Sequence, residues 1–557
     1  MSVDHVVPAP TDPMAVARAF VAENYIGIGG TVLLRHHRNT FYRYVGDHFP
    51  EDDERRVQSE LWRWLEGAQY WKTIKKGDPQ ELVPFEPTKY KIENVLAALK
   101  AIGHIAEGVQ PPVWLAGDRA VPVIAGEVVS VANGIFDFAS RELRGHTPEL
   151  FAHHVLPFEY DAQAPEPTRW HRFLDELWGD DVDSKTTLAE WFGYVLSGDM
   201  TQQKMYLLVG PKRSGKGTLA RVLTGLLGMH NVAAPTLAGL TQNFGLQPLV
   251  GKPLAVISDA RLGSRADNTI AVERLLSISG EDTLTIDRKY RDPWTGQLPA
   301  RFMILTNELP RFSDSSGALA SRFVMSILTT SFYGRENPKL TAELIEEAPG
   351  IFNWALEGLD RLRDRGYFQL PASAREAQRH LEDLASPVGA FVRDMCEVGA
   401  AFQVEKDVLW DAWKAWCVDE GRDKPGTKAV FARDLRATVP GLTPIRPRDG
   451  EERSHAWRGV NVRQQSKRPL TTPDQDRREA DGKRSGDEQT WLNHAGGQGW
   501  SGVEPIVVAE VVDNLLECGH ADSWLARDGA RRCHTCDPPA FAAEVVVEAE
   551  LLERSPA

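Results

Sequence analysis

Apolar and polar positions divide this chain of 557 residues into stretches of distinct period. From Met14 to about Leu99, helical spacing mixes with short alternating runs. Residues 31–35 and 40–45 alternate and predict a hairpin turning at Arg38-Asn39. Residues 57–71 and 90–105 carry helical spacing, and Trp62, Trp64 and Trp71 are read there as packing residues. Residues 129–138 hold a turn signal at Asn133-Gly134 and then a strand, and 174–196 is helical. Apolar runs at 205–208, 254–257, 302–305 and 323–328 read as buried strands. Helices are predicted at 340–364 and 372–384. Three more, at 388–396, 407–420 and 427–438, precede a β-ribbon holding Trp457-Arg458-Gly459-Val460. The Pro-rich residues 1–13 and the polar stretch 463–500 lack any apolar period and are expected to be disordered. No internal repeat is visible.

Composition narrows the class. The chain is 42% hydrophobic and 25% charged, as in ordinary globular proteins, and no apolar run is long enough to span a membrane. The N-terminus has no basic start or apolar core, so no signal peptide is expected. Five cysteines are too few for a disulfide framework and suit a reducing cytoplasm. The net charge of -14 means that nucleic acid would have to be met by local basic patches.

The densest chemistry lies at Gly210-Pro211-Lys212-Arg213-Ser214-Gly215-Lys216-Gly217-Thr218. A strand precedes it and a helix follows, the setting of a phosphate-binding P-loop. Gly210 and Gly215 let the backbone curl so that several N–H groups face one anion, and the helix adds its positive end. Lys216 would bridge the β- and γ-phosphates of ATP. The residue after the lysine usually carries a hydroxyl for Mg²⁺, but here it is Gly217, and the hydroxyl comes at Thr218. Small nucleotide kinases resembling adenylate kinase share this ending. The loop by itself therefore leaves open a kinase or a mechanical ATPase, and whether Thr218 meets the metal directly or through water.

Downstream residues extend the site. The run 253–258 ends in Asp259, a candidate to hold Mg²⁺ or align the attacking water. The run 301–306 ends in Asn307, placed to orient the lytic water. Arg322 precedes an apolar strand and is a candidate arginine finger for a neighbouring subunit. Between these, 283–286 alternates as a strand, Arg288-Lys289-Tyr290-Arg291 is basic and aromatic, and 294–298 returns the chain. The tip of such a hairpin suits DNA, with cations for phosphate and an aromatic for a sugar or base.

This order of motifs resembles superfamily 3 helicases, and most closely the helicase portion of phage and plasmid primase-helicases. The carriers are the P-loop, the strand with Asp259, Gly280-Glu281-Asp282 with Arg288-Lys289-Tyr290, Thr306-Asn307-Glu308-Leu309-Pro310, and Ala318-Leu319-Ala320-Ser321-Arg322-Phe323. Upstream, Asn133-Gly134-Ile135-Phe136-Asp137-Phe138, His146-Thr147-Pro148 and Leu156-Pro157-Phe158-Glu159-Tyr160 are similar to the poxvirus-type domain before that ATPase. Downstream, Ser386-Pro387-Val388 and the tryptophan-rich 409–417 resemble its winged-helix domain. The resemblance spans about 15–462 and implies an α/β, multidomain fold. Its parts would be a disordered start (1–13), an N-terminal helical/α+β domain (14–198), an AAA+-like P-loop ATPase (199–385), a winged helix (386–462), a linker (463–503) and a zinc-ribbon tail (504–557). It further implies a hexameric homo-oligomer with ATP between subunits. Lys216 and Thr218 fall in Walker A, Asp259 in Walker B, Lys289 on the DNA-contacting hairpin, Asn307 on sensor 1 and Arg322 on the finger. Single-stranded and forked DNA are the implied partners, with a separate primase or another replication protein as a further candidate, in the cytoplasm of a bacterial host of a phage, prophage or plasmid. The chain departs from the pattern in two ways. Ser258 and Ala260 flank a lone acid, which leaves Glu308 as a candidate for the second, and no polymerase-type primase domain is expected ahead of residue 14.

Near the C-terminus, Cys518, His520, Cys533 and Cys536 have spacing that suits a closed structural Zn²⁺ site. Cys396 and Cys417 lie in apolar helical surroundings and are read as packed. Three functional classes follow from the residues: a DNA helicase driven by ATP hydrolysis, an origin-binding or loader protein that uses ATP only to assemble, and a nucleotide kinase.

Overall fold

The computed structural model describes residues 5–463 except 75–78, 117–118, 123–126, 259–264, 311, 313–316, 423–424, 447, 450–451 and 454, and also 523–525 and 531–533. The chain divides into two units, Met1–Ser466 and Lys467–Ala557. In the second, the antiparallel pair Ser523–Leu525 and Arg531–Cys533 is described.

The first unit is a mixed α/β structure of several layers. Within 5–13 its start departs from the expected disorder, and the rest of that expectation, 1–4, lies outside the described residues. Val7 is buried and its N–H donates to the Gln69 carbonyl at 2.8 Å, so the chain is packed from His5 onward. Asp12 then caps the helix Pro13–Asn24, its Oδ1 accepting from the Ala15 N–H at 2.9 Å. The expected hairpin is present as Leu34–His37 and Thr40–Arg43, and Arg38 and Asn39 both take positive φ, as a two-residue turn between twisted strands requires. The helix expected to reach Trp71 stops earlier, at Leu65, and Gly67 with φ 76° redirects the chain. Trp71 then sits half-exposed in the strand Gln69–Thr73, while Trp62 and Trp64 pack on the core.

The centre is a parallel five-stranded sheet in the order Val232–Ala233, Leu254–Ile257, Arg301–Thr306, Met205–Val209, Phe323–Ile327. Strands covered on both faces need apolar residues at every position, which is why these runs lack alternation. The helix expected over 174–196 is two helices, Thr168–Trp178 and Val182–Leu196, broken at Gly179 with φ 54°. One core joins these helices to the sheet. Trp170, Trp191 and Leu196 share it with Tyr206 and Leu208, so the expected boundary at 198 is not a break in packing.

The helix Val182–Leu196 lies against Ala348–Arg365 at backbone contact. A Cβ on Gly358 would sit 2.3 Å from the Ala189 carbonyl carbon, and one on Gly193 would sit 2.4 Å from the Ala355 carbonyl oxygen. Gly358→Val is therefore expected to destabilise the unit by about 3 kcal/mol, the upper range for overpacking. Denaturant unfolding monitored by circular dichroism measures it, and an unchanged midpoint would contradict the close approach.

The C-terminal part holds the three expected helices, at Pro387–Met395, Lys406–Asp419 and Lys428–Thr438. It also holds a strand that the pattern did not predict. Cys396–Glu405 joins Ala456–Val462 and Thr443–Ile445 in a three-stranded antiparallel sheet. Its register shifts between Val398 and Gln403, and that irregularity removes the period-2 signal. A short ribbon, Arg448–Asp449 with Glu452–Arg453, lies between the last two strands in sequence. Cys396 and Cys417 are buried, unbonded thiols, as read from their surroundings. Among the described residues, no helix is long and apolar enough to cross a membrane.

Candidate nucleotide site and basic hairpin

The strand Met205–Val209 is buried throughout and delivers the chain to the loop that begins at Gly210. Two glycines are dictated by space and backbone angle. A Cβ at Gly210 would lie 2.7 Å from Leu328 Cβ. Gly215 takes φ 89° and ends the loop at the start of the helix Lys216–Leu227. That helix has no side-chain cap, and the first of its N–H groups to find a backbone partner is that of Thr218, which donates to the Gly215 carbonyl at 2.9 Å. The loop is braced from outside: Ser331 Oγ donates to the Lys212 carbonyl at 2.8 Å, and Phe332 N–H to the Arg213 carbonyl at 2.9 Å.

Lys216 folds back over the loop. Its Nζ donates to the carbonyls of Gly210 (2.6 Å) and Pro211 (2.7 Å), to Ser214 Oγ (3.2 Å) and to Asn307 Oδ1 (3.2 Å). Burial lowers its pKa from the ordinary lysine value. Asn307 reaches the loop because of sheet order. The strand Arg301–Thr306 lies beside Met205–Val209 with Thr306 opposite Val209, so the next residue emerges at the lip of the P-loop. The structure thus brings together Lys216 and Asn307, which lie 91 residues apart.

Thr218 Oγ1 accepts a hydrogen bond from Arg221 Nη2 at 3.1 Å. A hydroxyl oxygen has two lone pairs, so this leaves acceptor capacity for a cation or its water. A hydroxyl and a carboxylate are the hard oxygen donors that magnesium takes. Asp259 lies outside the described residues. Glu308 is exposed and is not among the residues lining the cleft, so the structure does not place it with Lys216.

Arg322 lies at the other end of the sheet. Met205 stands opposite Phe323, and its N–H donates to the Arg322 carbonyl at 2.8 Å, whereas the P-loop leaves beyond Val209. A five-residue strand separates the two ends, about 16 Å at roughly 3.3 Å per residue. Arg322 Nη1 donates to the carbonyl of Gln203 at 3.3 Å and to the Gln203 side chain. Within one chain, then, Arg322 does not meet Lys216.

The basic hairpin is formed by Leu284–Arg288 and Arg291–Gly296, with Arg288 opposite Arg291. Its tip is Lys289-Tyr290. Tyr290 is 92% exposed, and the Lys289 ammonium stands 5.1 Å from its ring centroid. The root is fastened to the N-terminal sheet. Asn39 Nδ2 donates to Asp292 Oδ2 at 2.8 Å, Arg291 pairs with Glu51 at 2.5 Å, and the Arg38 guanidinium lies 5.0 Å over Trp294.

The sequence reading did not single out Arg172, Arg221 or Arg335, which line the P-loop cleft. Arg221 had a signal, since it stands three positions beyond Thr218 on one helical face. Arg172 and Arg335 arrive from distant segments and had none. Of the four candidate zinc ligands, Cys518, His520 and Cys536 lie outside the described residues, and Cys533 ends the strand Arg531–Cys533.

Comparison with known proteins adds two segments. Residues 125–179 match a family described as D5 N terminal like, and residues 208–322 match a family of unknown function, DUF5906. The second segment contains the P-loop, Asp259, the hairpin, Asn307 and Arg322. Among solved structures, the chain is similar to an apo structure of the NrS-1 C terminal region (305-718), with 12% identity, 80% of this chain and 99% of that chain covered, and a TM-score of 0.43. It is also similar to an A form apo structure of the same region, with 11% identity, 80% and 100% covered, and a TM-score of 0.42.

Proposed function

We propose that the chain is a DNA helicase of the phage and plasmid primase-helicase type, driven by ATP hydrolysis and working as a hexameric ring. The observation that carries this reading is the convergence of Lys216 and Asn307 at the P-loop, with Arg322 at the opposite end of the same sheet. A site with its finger turned away from its own phosphate cradle is complete only where another subunit supplies the arginine. The parallel sheet supports an AAA+-like ATPase, and the match of 125–179 to a D5 N terminal like family supports the poxvirus-type domain before it. The three helices with their sheet and ribbon support a winged helix.

In this reading the loop N–H groups and the helix start hold the ATP phosphates. Lys216 exchanges its carbonyl contacts for phosphate oxygens. Thr218 and Asp259 would hold magnesium, which neutralises charge on the phosphates. Asn307 orients the attacking water, and the neighbouring subunit's arginine stabilises charge that develops in transfer. Lys289 and Tyr290 grip single-stranded DNA through phosphate and stacking. A separate primase would supply primers. Cys518, His520, Cys533 and Cys536 would form a structural zinc site, which a metal-to-protein ratio near one would support and zinc-free protein would refute.

The overall test is strand displacement on a forked duplex by the purified ring. Unwinding that requires ATP supports the helicase, whereas DNA-stimulated assembly without unwinding supports a loader. Lys289→Ala and Tyr290→Ala are each expected to weaken binding to single-stranded DNA by about 1–3 kcal/mol, or roughly 10- to 100-fold. Nucleotide binding should stay unchanged. Fluorescence anisotropy with a labelled oligonucleotide reads this out, and wild-type affinity in both variants would remove the hairpin from the DNA path.

A further inference from the structure

A cavity of about 340 Å³ lies where the N-terminal sheet, the strand Val128–Val131 and the root of the hairpin meet, away from the P-loop cleft. Its volume falls in the range of small-ligand sites, roughly 300–1,000 Å³. The walls are mixed. Leu150, Leu156 and Val195 give an apolar floor, and Trp294 with Tyr42 gives aromatic surface. Tyr42 is stacked on His153, with centroids 4.4 Å apart and planes 4° from parallel.

The charge on the walls favours an anion. Arg38, Lys252 and Arg288 line the cavity. Their hydrogen bonds go to neutral backbone carbonyls, Arg38 to Glu107 (2.8 Å), Lys252 to His230 and Arg288 to Asp292 (2.8 Å), and among the described residues no carboxylate is ion-paired to any of the three. The carboxylate on the wall, Glu51, is already matched to Arg291. Three of the wall histidines add no charge at neutral pH, because burial pushes the pKa of His37 and of His154 down to about 4 and that of His153 well below its ordinary value. They do not gather as a metal site either, since no group of three or more His, Cys, Asp or Glu is placed to hold an ion among the described residues. Ser130 Oγ and His153 Nε2 are among the buried polar atoms on the wall that have no hydrogen-bond partner. Ser130 is 1% exposed, and a buried hydroxyl left unpaired is costly unless something enters to meet it.

We propose that this cavity is a second binding site, for a nucleotide-sized ligand bearing a phosphate, with Arg38, Lys252 and Arg288 on the phosphate and Ser130 and His153 on its polar edge. Such a ligand joins the hairpin root to the N-terminal domain. It is either a free nucleoside monophosphate or the phosphorylated end of a DNA strand, and the two share one chemistry.

The test is calorimetric titration of the full chain with dAMP and, separately, with a 5′-phosphorylated and a 5′-hydroxyl oligonucleotide. Lys252→Gln is expected to weaken binding of dAMP, or of the phosphorylated strand over the hydroxyl one, by at least about tenfold, while Lys216→Ala leaves that binding in place. Ser130→Ala serves as a variant safe for folding. It removes an unpaired hydroxyl without adding volume, so its melting temperature without ligand is expected to hold or rise, while the stabilisation by dAMP shrinks. Binding that vanishes with Lys216→Ala and ignores both Lys252→Gln and Ser130→Ala would overturn the site, as would no binding of any probe.

Discussion

Lys216→Ala is expected to abolish ATP hydrolysis, with a loss of at least about 10²–10³-fold, the scale set by removing one preorganised charge-stabilising donor. The fold should survive. The lysine's partners in the structure are loop carbonyls, a hydroxyl and the Asn307 amide oxygen, and none is a buried charge that would be left unpaired. A phosphate-release assay with and without DNA measures the loss, and thermal unfolding checks the fold. Hydrolysis retained near the wild-type rate would remove this loop from the catalytic site. Asn307→Ala should lose hydrolysis while keeping nucleotide binding, because the amide meets the lysine at the lip of the cradle.

Arg322→Ala is expected to cost about 10³-fold or more in hydrolysis, the range for an arginine finger, while ATP binding persists. Its position makes a sharper test available. Arg322 lies at the start of its strand and Lys216 beyond the end of the neighbouring one. In the proposed ring the two lesions would therefore fall in different halves of a shared site. Mixing inactive Lys216→Ala subunits with inactive Arg322→Ala subunits should restore part of the activity, because some interfaces then pair an intact cradle with an intact finger. Mixtures that stay inactive at every ratio, although they co-assemble, would argue that each site is built within one chain. In the proposed ring every subunit would give its arginine to one neighbour and take one from the other, which is a head-to-tail interface.

What could be read from the chain alone follows from how local its causes are. The strand, glycine loop and helix at 205–227 were legible because the glycines answer to local geometry, a positive φ at Gly215 and a Leu328 side chain against Gly210. The turn at Arg38-Asn39 was legible because two residues fix it. The central strands were legible as unbroken apolar runs, since both faces are covered. The strand Cys396–Glu405 was hidden by its shifted register, and the break at Gly179 between two helices was hidden because it is one glycine in an otherwise helical pattern. The fastening of the hairpin was hidden for another reason. Arg291 and Glu51 are 240 residues apart, and no local pattern announces such a pair.

That fastening has a mechanical consequence. Arg291–Glu51 and Asn39–Asp292 are exposed contacts, each of a kind that contributes about 0.2–1 kcal/mol. Arg38 over Trp294 adds about 0.5–1 kcal/mol. Together they amount to a latch of about 1–3 kcal/mol, a ratio of roughly ten to a hundred between latched and unlatched hairpins. The hairpin keeps a second hold of its own, since Ile286 and Trp294 are buried in the core beside the central sheet and the Lys289 N–H donates to Gln247 Oε1 at 3.0 Å. Salt, which weakens the Arg291–Glu51 pair first, would thus loosen the tie to the N-terminal sheet and leave the hairpin rooted in the ATPase core.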